Sequence, residues 1–305
     1  MDLRQLAALV AVSETGSFSG AARSLHTVQS NISTHIAHLE RELGAPLVDR
    51  RSGELTPEGK IALQRARHVQ QELDALRDDV AALGAEVVGS VRLGCIGTVA
   101  RWLIPLVLEN LSAAHPKVRV VVVDATTSSL VPQLIAGDID LAVLSIPTLD
   151  NDLVDEALFE EDRIVIAPDQ HPLAQLTRVS IADLAAYELL LGPPGTAFRD
   201  ELDAEATRAG VVLRPQAEVD GLRLIATLAF QGYGAAIVPA TAAPRWLEGK
   251  WKRVSVDGLP RRHVGLAQRR RGRPSTPVRA LRESLLEVVQ NQGPAMEGVN
   301  PLPPG

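Results

Sequence analysis

The stretch Thr27–Arg50, TVQSNISTHIAHLERELGAPLVDR, decides how the first part of the chain is read. Ile32, Ile36, Leu39 and Leu43 recur at intervals of 4, 3 and 4, which lines them up as one apolar stripe on a helix. Gly44 follows as a residue suited to the left-handed position after a helix end. The face opposite the stripe carries Ser30, Ser33, Thr34 and Ala37, with Gln29 at the leading end. An ordinary solvated face would favour Glu, Lys and Ala. Small polar side chains instead let a helix come close to base edges, where Gln and Ser can hydrogen-bond bases or phosphates.

Upstream, Leu3, Leu6 and Val10 have helical spacing, and Gly16 ends that segment. Ser17 to Ser19 offer N-caps to a second helix, apolar through Phe18, Ala21, Ala22 and Leu25, and His26-Thr27 make a short turn into the third. Downstream, GAPLVDRRSGELT (44–56) reads as a wing, a tight strand pair with Arg50 and Arg51 placed to reach phosphates. Three short helices with a tight turn and a polar third helix describe a helix-turn-helix. On the residues alone, a small helical bundle with a solvated polar face stays open.

From Thr56-Pro57 a capped helix begins with Pro at its first position. Ala62, Ala66, Val69, Leu73, Leu76, Val80 and Leu83 follow at alternating spacings of 4 and 3, a heptad seam suited to dimerisation; the alternative is packing on its own chain. Gly84 and Gly89 mark a hinge into the remaining two-thirds, where strand and helix patterns alternate. VRLGCIG, KVRVVVVDA, DLAVLS, RIVIAP, YELLLG, QAEVDG, AAIVP and HVGLAQ read as strands; KVRVVVVDA suits a strand buried on both faces. This is an α/β pattern, with room for two similar sub-domains between which the chain crosses and returns. The tail NQGPAMEGVNPLPPG (291–305) has the composition of disorder.

Composition narrows the function. Of 305 residues 46% are apolar and 22% charged, enough for sizeable cores, and the net charge of −6 argues against nucleic-acid binding through bulk charge. Residues 1–60 hold six basic and seven acidic side chains, so phosphate attraction rests on local placement and helix N-termini. The N-terminus lacks a signal-peptide pattern and no apolar run is long enough to span a membrane, which gives the expectation of a cytoplasmic protein. Cys95 stands alone, so an intrachain disulfide or a Cys-based metal cluster is excluded; within an apolar strand it reads as a packed thiol rather than a redox sensor. His35 and His38 lack a nearby third ligand, so no metal site is assigned. Trp102, Trp246 and Trp251 read as core or interface residues, and the basic run RRHVGLAQRRRGR (261–273) as a solvated strand edge and loop. There is no dinucleotide or P-loop glycine motif, no serine elbow and no zinc-protease motif, so no catalytic residue and no cofactor are assigned.

Three pieces, GSFSGAARSL (16–25), QSNIS…I..LE.ELG.PL (29–47) and R…LTPEGK ending at Lys60, together resemble the N-terminal winged helix-turn-helix of LysR-type transcriptional regulators. Thr34 and His35 stand where that family often has an Arg after the second Ser. LVDR replaces the usual LF.R. L..G.IDLAV and G.GAAIVP resemble, more weakly, the same regulators' effector domain, which is similar to type 2 periplasmic binding proteins. The resemblance implies a winged helix-turn-helix (1–59), a linker and dimerisation helix (60–86), a two-sub-domain α/β effector domain (87–293) and a disordered tail (294–305).

It further implies a sequence-specific, effector-modulated regulator, homotetrameric on double-stranded DNA. Gln29, Ser30, Ser33 and Thr34 would lie in the groove, with Arg50 and Arg51 on the DNA backbone. Thr98, Ser128, Ser129 and Thr196 would line the effector cleft, where loops enter helix N-termini. Such loops suit a small anionic effector, to which Arg101, Arg199 or Arg223 could add charge; these rank below the hydroxyls. The competing readings are a small-molecule binding protein, or an α/β enzyme with an accessory helical head.

Overall fold

The computed structural model describes residues 1–50, 52–82, 86–244 and 246–303. The chain divides into two units: Met1–Glu86 with Ile135–Asp138 and Gly272–Thr276, and Val87–Leu134 with Ile139–Arg271 and Pro277–Gly305.

In the first unit, α1 (Leu3–Thr15) starts in a capping box. The Asp2 carboxylate accepts the Arg4 and Gln5 N–H groups at 2.9 Å, and Gln5 Oε1 accepts the Asp2 N–H at 3.1 Å. Gly16, at φ +65°, ends α1, and Ser17 caps α2 (Phe18–Ser24) by accepting the Gly20 N–H at 3.0 Å. Helix α3 (Gln29–Leu43) stops at Gly44, φ +71°. Ile32, Ile36 and Leu39 are buried against Leu9, Val12, Ala21 and Leu47, while Leu43, the last residue of the stripe, is exposed. The wing is narrower than a strand pair: a single antiparallel bridge joins Val48 to Leu55. Its turn closes through the Asp49 N–H on Glu54 O and the Gly53 N–H on Asp49 O, both 2.8 Å.

Helix α4 (Pro57–Ala82) follows. Gly59 is required there, because an added Cβ would run into the Leu47 carbonyl. The first seam positions do not face outward: Ala66, with neighbouring Leu63, is buried in the core of the head and Ala62 packs against it. Further along, Val69, Leu76 and Val80 are exposed and Leu73 is half-buried. Leu83 and Gly84 lie outside the described residues.

The second unit alternates strand and helix: β1 (Gly89–Cys95), α5 (Gly97–Ala114), β2 (Val118–Asp124), α6 (Thr127–Ala136), β3 (Leu141–Ser145), β4 (Leu153–Glu161), β5 (Arg163–Pro168), β6 (Arg178–Ser180), α7 (Ile181–Leu184), β7 (Glu188–Leu191), α8 (Ala197–Arg208), β8 (Arg214–Glu218), α9 (Leu222–Phe230), β9 (Ala235–Pro239), β10 (Trp251–Asp257), β11 (Arg262–Arg269), α10 (Thr276–Gln292) and β12 (Val299–Pro301). Among the described residues these strands form two six-stranded sheets, β12-β4-β11-β3-β1-β2 and β6-β10-β5-β9-β7-β8. The chain passes from the first to the second through Asp162 and returns between β10 and β11, so each sheet organises one sub-domain. In each, a parallel trio (β2-β1-β3 and β8-β7-β9) meets antiparallel strands.

Three expectations need correction. Strand β2 is not buried on both faces: it is an edge strand with β1 on one side, and each of its residues is half-buried or exposed. The basic run is not a solvated edge, since β11 lies between β4 and β3 and Arg262 is buried. Arg269 reaches the Leu134 and Ile139 carbonyls at 2.9 and 3.0 Å, and Arg270 those of Asn151 and Leu153 at 3.0 and 2.9 Å. The tail is not disordered through its described length. Val299–Pro301 pair antiparallel with Phe159–Glu161, Leu302 N donates to Leu158 O at 2.9 Å, and Met296 and Val299 are buried. Pairing the otherwise open edge of β4 supplies order that the tail's own composition does not.

Candidate nucleic-acid interface and effector cleft

On α3, Gln29, Ser30 and Thr34 are exposed and Ser33 half-buried, so the polar face opposite the Ile32–Ile36–Leu39 stripe is open to solvent. Its side chains are held by local bonds. Ser19 Oγ of α2 donates to Gln29 Oε1 at 2.9 Å, and Thr34 Oγ1 donates to the Ser30 carbonyl at 2.9 Å. Arg50 is exposed but not loose: its Nη2 meets Glu40 Oε2 at 3.1 Å. Glu40 Oε1 also accepts the Leu47 N–H at 2.9 Å and the Val48 N–H at 3.4 Å. One carboxylate on α3 thus fixes both wing backbone and wing arginine relative to the polar face. In the sequence Glu40 counts only among the acidic side chains of residues 1–60; its signal there is its place directly after Leu39 of the apolar stripe. Arg51 lies outside the described residues.

In the second unit the loops chosen from sequence occupy the C-terminal ends of β1, β2 and β7, which are the starts of α5, α6 and α8. Their hydroxyls are differently placed. Ser128 and Ser129 are exposed, and both lie on Thr126 Oγ1, at 3.0 and 3.1 Å. Thr196, half-buried, donates to Pro193 O at 2.8 Å. Thr98 is buried, and its Oγ1 accepts from Arg262 Nη2 at 3.1 Å. Arg262 is paired in turn with Glu161, a fully buried carboxylate whose Oε2 accepts the Thr241 N–H at 3.0 Å. Thr98 therefore joins a buried network at the crossing between the sub-domains.

The arginines also separate. Arg199 is buried and fully engaged, with Asp203 at 2.8 Å, Gly192 O at 2.7 Å and Glu218 at 3.2 Å. Arg223, in the first turn of α9, pairs with Asp124 at the end of β2, joining the two sub-domains. Arg101, on the second turn of α5, extends to 3.5 Å from Ala242 O, and burial, with the neighbouring positive Arg223, pulls its guanidinium below the ordinary value. Asp124 was missed from sequence; its signal was an acid closing a β-branched run just before a hydroxyl-rich loop.

Cys95 is wholly buried in β1, and burial, reinforced by the Asp124 charge, pushes its thiol far above the ordinary value. Trp102 is buried edge-on to Phe159, ring centres 5.9 Å apart, and Trp251 packs on Phe230 at 4.7 Å, whereas Trp246 is exposed. No helix among the described residues is long and apolar enough to cross a membrane.

Residues 3–60 match the family described as bacterial regulatory helix-turn-helix protein, lysR family, and residues 84–290 match the LysR substrate binding domain. The DNA-binding transcriptional dual regulator OxyR of Escherichia coli is 30% identical over 294 residues, 95% of each chain. A full-length OxyR variant from Pseudomonas aeruginosa shares the fold, with a TM-score of 0.74 at 23% identity over 95% of each chain. CbnR solved in complex with its target DNA superposes with a TM-score of 0.68 at 25% identity, over 94% of this chain and 99% of that one. These relatives are regulators rather than enzymes or transport proteins, which sets aside both competing readings. The chain belongs to the LysR family and is a DNA-binding transcriptional regulator modulated by a small-molecule effector.

Proposed function

We propose that the chain acts in the cytoplasm as a homotetramer that reads two DNA half-sites and answers to a small anionic effector bound between the two sub-domains. Gln29, Ser30, Ser33 and Thr34 meet base edges, while Arg50 and Arg51 meet phosphates. The effector lies among the loops of Thr98, Ser128, Ser129 and Thr196. The observation that carries the anionic class is Arg223 at the start of α5, its Cζ 3.7 Å from where a Gly97 Cβ would stand, with Arg101 one turn along the same helix, whose N-terminus is itself a partial positive charge. The domain division proposed is 1–59, 60–86 and an effector domain from 87 that takes in β12 beyond residue 293, with exposed Val69, Leu76 and Val80 of the linker helix supporting its use as a dimer seam.

Two E. coli relatives carry the description hydrogen peroxide-inducible genes activator. Here a thiol-disulfide switch within one chain is excluded by the single cysteine, and a buried, protonated Cys95 is unsuited to oxidation. The signal is therefore a bound molecule rather than an oxidised thiol. Binding changes DNA affinity only if the effector favours one closure of the sub-domains over the other.

Gel-shift titration of promoter DNA, run with and without a panel of small carboxylates, tests the reading. One or more of them should change the DNA affinity of wild type and leave Ser128→Ala and Ser129→Ala less responsive. An effector acting equally on both variants would place its site elsewhere.

A further inference from the structure

Asp124 and Arg223 come from different sub-domains and pair across the opening between them. They rest on bare backbone: a Cβ added at Gly97, the first residue of α5, would stand 2.8 Å from Asp124 Oδ1 and 3.7 Å from Arg223 Cζ. Arg101 is one turn further along the same helix, its guanidinium 3.5 Å from Ala242 O, and burial together with the positive charge of Arg223 pulls it below its ordinary value. Solvent reaches the pair, with side-chain exposures of 54% for Arg223 and 34% for Asp124, so a dissolved anion can reach it too. The Arg223 guanidinium and a helix start thus face one carboxylate, with Arg101 one turn along α5, and that carboxylate occupies the place an anionic ligand would take on Arg223.

We propose that Asp124 is a built-in competitor for the effector's anionic group. Resting on the reading of this cleft as the effector site, the inference is that an oxyanion engaging Arg223 and Arg101 together displaces Asp124. The exchange trades a bond between sub-domains for bonds to the ligand, so binding and closure change in one step. It also sets specificity: an anion too weak to displace a carboxylate already in place, or a neutral analogue of the effector, does not bind.

The test uses inorganic sulfate as probe, titrated by calorimetry into the full chain at constant ionic strength kept with chloride. Asp124→Asn keeps the size of the side chain and removes its charge, and should bind sulfate about tenfold more tightly than wild type, the worth of ~1.4 kcal/mol. Arg223→Gln should abolish sulfate binding in both backgrounds. Equal affinity of wild type and Asp124→Asn, with Arg223→Gln still defective, would overturn the competitor role and leave the anion site standing. Sulfate binding to neither protein, or binding indifferent to Arg223→Gln and Ser128→Ala alike, would overturn the anion site as well.

Discussion

Glu161→Leu gives the sharpest test of what holds the second unit together. Glu161 and Arg262 are both buried, the carboxylate fully so, and they meet where the chain crosses between sub-domains. Removing the carboxylate strands the Arg262 guanidinium, left with the Thr98 hydroxyl at 3.1 Å, and takes the acceptor from the Thr241 N–H. Breaking a buried pair from one side costs about 3–5 kcal/mol, because the surviving charge stays out of water. For a unit of this size each kcal/mol moves the melting temperature by roughly 2–4 °C, so the transition should fall by about 6–20 °C. Glu161→Leu/Arg262→Met removes both charges and should regain part of the loss. What remains is the orphaned Thr241 N–H, worth about 1–3 kcal/mol. Melting followed by near-ultraviolet circular dichroism on the full chain, analysed as a double-mutant cycle with Arg262→Met as the second single variant, reads all three. A single substitution costing under about 1 kcal/mol, or a double variant as unstable as the sum of its parts, would refute the reasoning.

Glu40→Ala should loosen the wing and, with Arg50 no longer aimed, weaken binding to all DNA sequences alike; a change in base preference alone would contradict its positioning role. Leu73→Lys/Leu76→Lys places charge in the seam and should give smaller species in sedimentation and lose tight DNA binding, whereas an unchanged oligomer would exclude the seam. Cys95 should react with a thiol reagent only as fast as the domain opens, and rapidly once urea is added. Because the folded state disfavours the thiolate, this group's contribution to stability should decline as pH rises past the ordinary thiol value; fast native-state labelling would refute the burial argument.

The head was legible because its signals are local. A stripe spaced 4, 3, 4 and a glycine at its end specify α3 without reference to anything distant. Strand β2 was read as a strand but misplaced as fully buried, since a run of valines has the same pattern at an edge as at a centre; only pairing, which is non-local, separates them. Arg262 looked like one charge in a solvated run because its partner lies about a hundred residues away, at Glu161. The tail failed for a related reason: three residues make a strand only when β4 offers an edge. At the cleft, the positions of the loops followed from alternating strands and helices. Which side chains stay available did not, because Thr98 and Arg199 are engaged by neighbours, whereas Asp124 and Arg223 meet only once both sub-domains are folded.

On the reading proposed above, the polar face of α3 selects DNA by its base sequence. Incubating the full-length protein with a random pool of duplex DNA and sequencing what is retained tests it most directly. Wild type should enrich two related half-sites, and Gln29→Ala or Ser33→Ala should change the preferred bases within each half, by about 1–3 kcal/mol for each base-reading side chain removed. Retention of an unenriched pool by wild type, or identical preferences in all three proteins, would contradict the account.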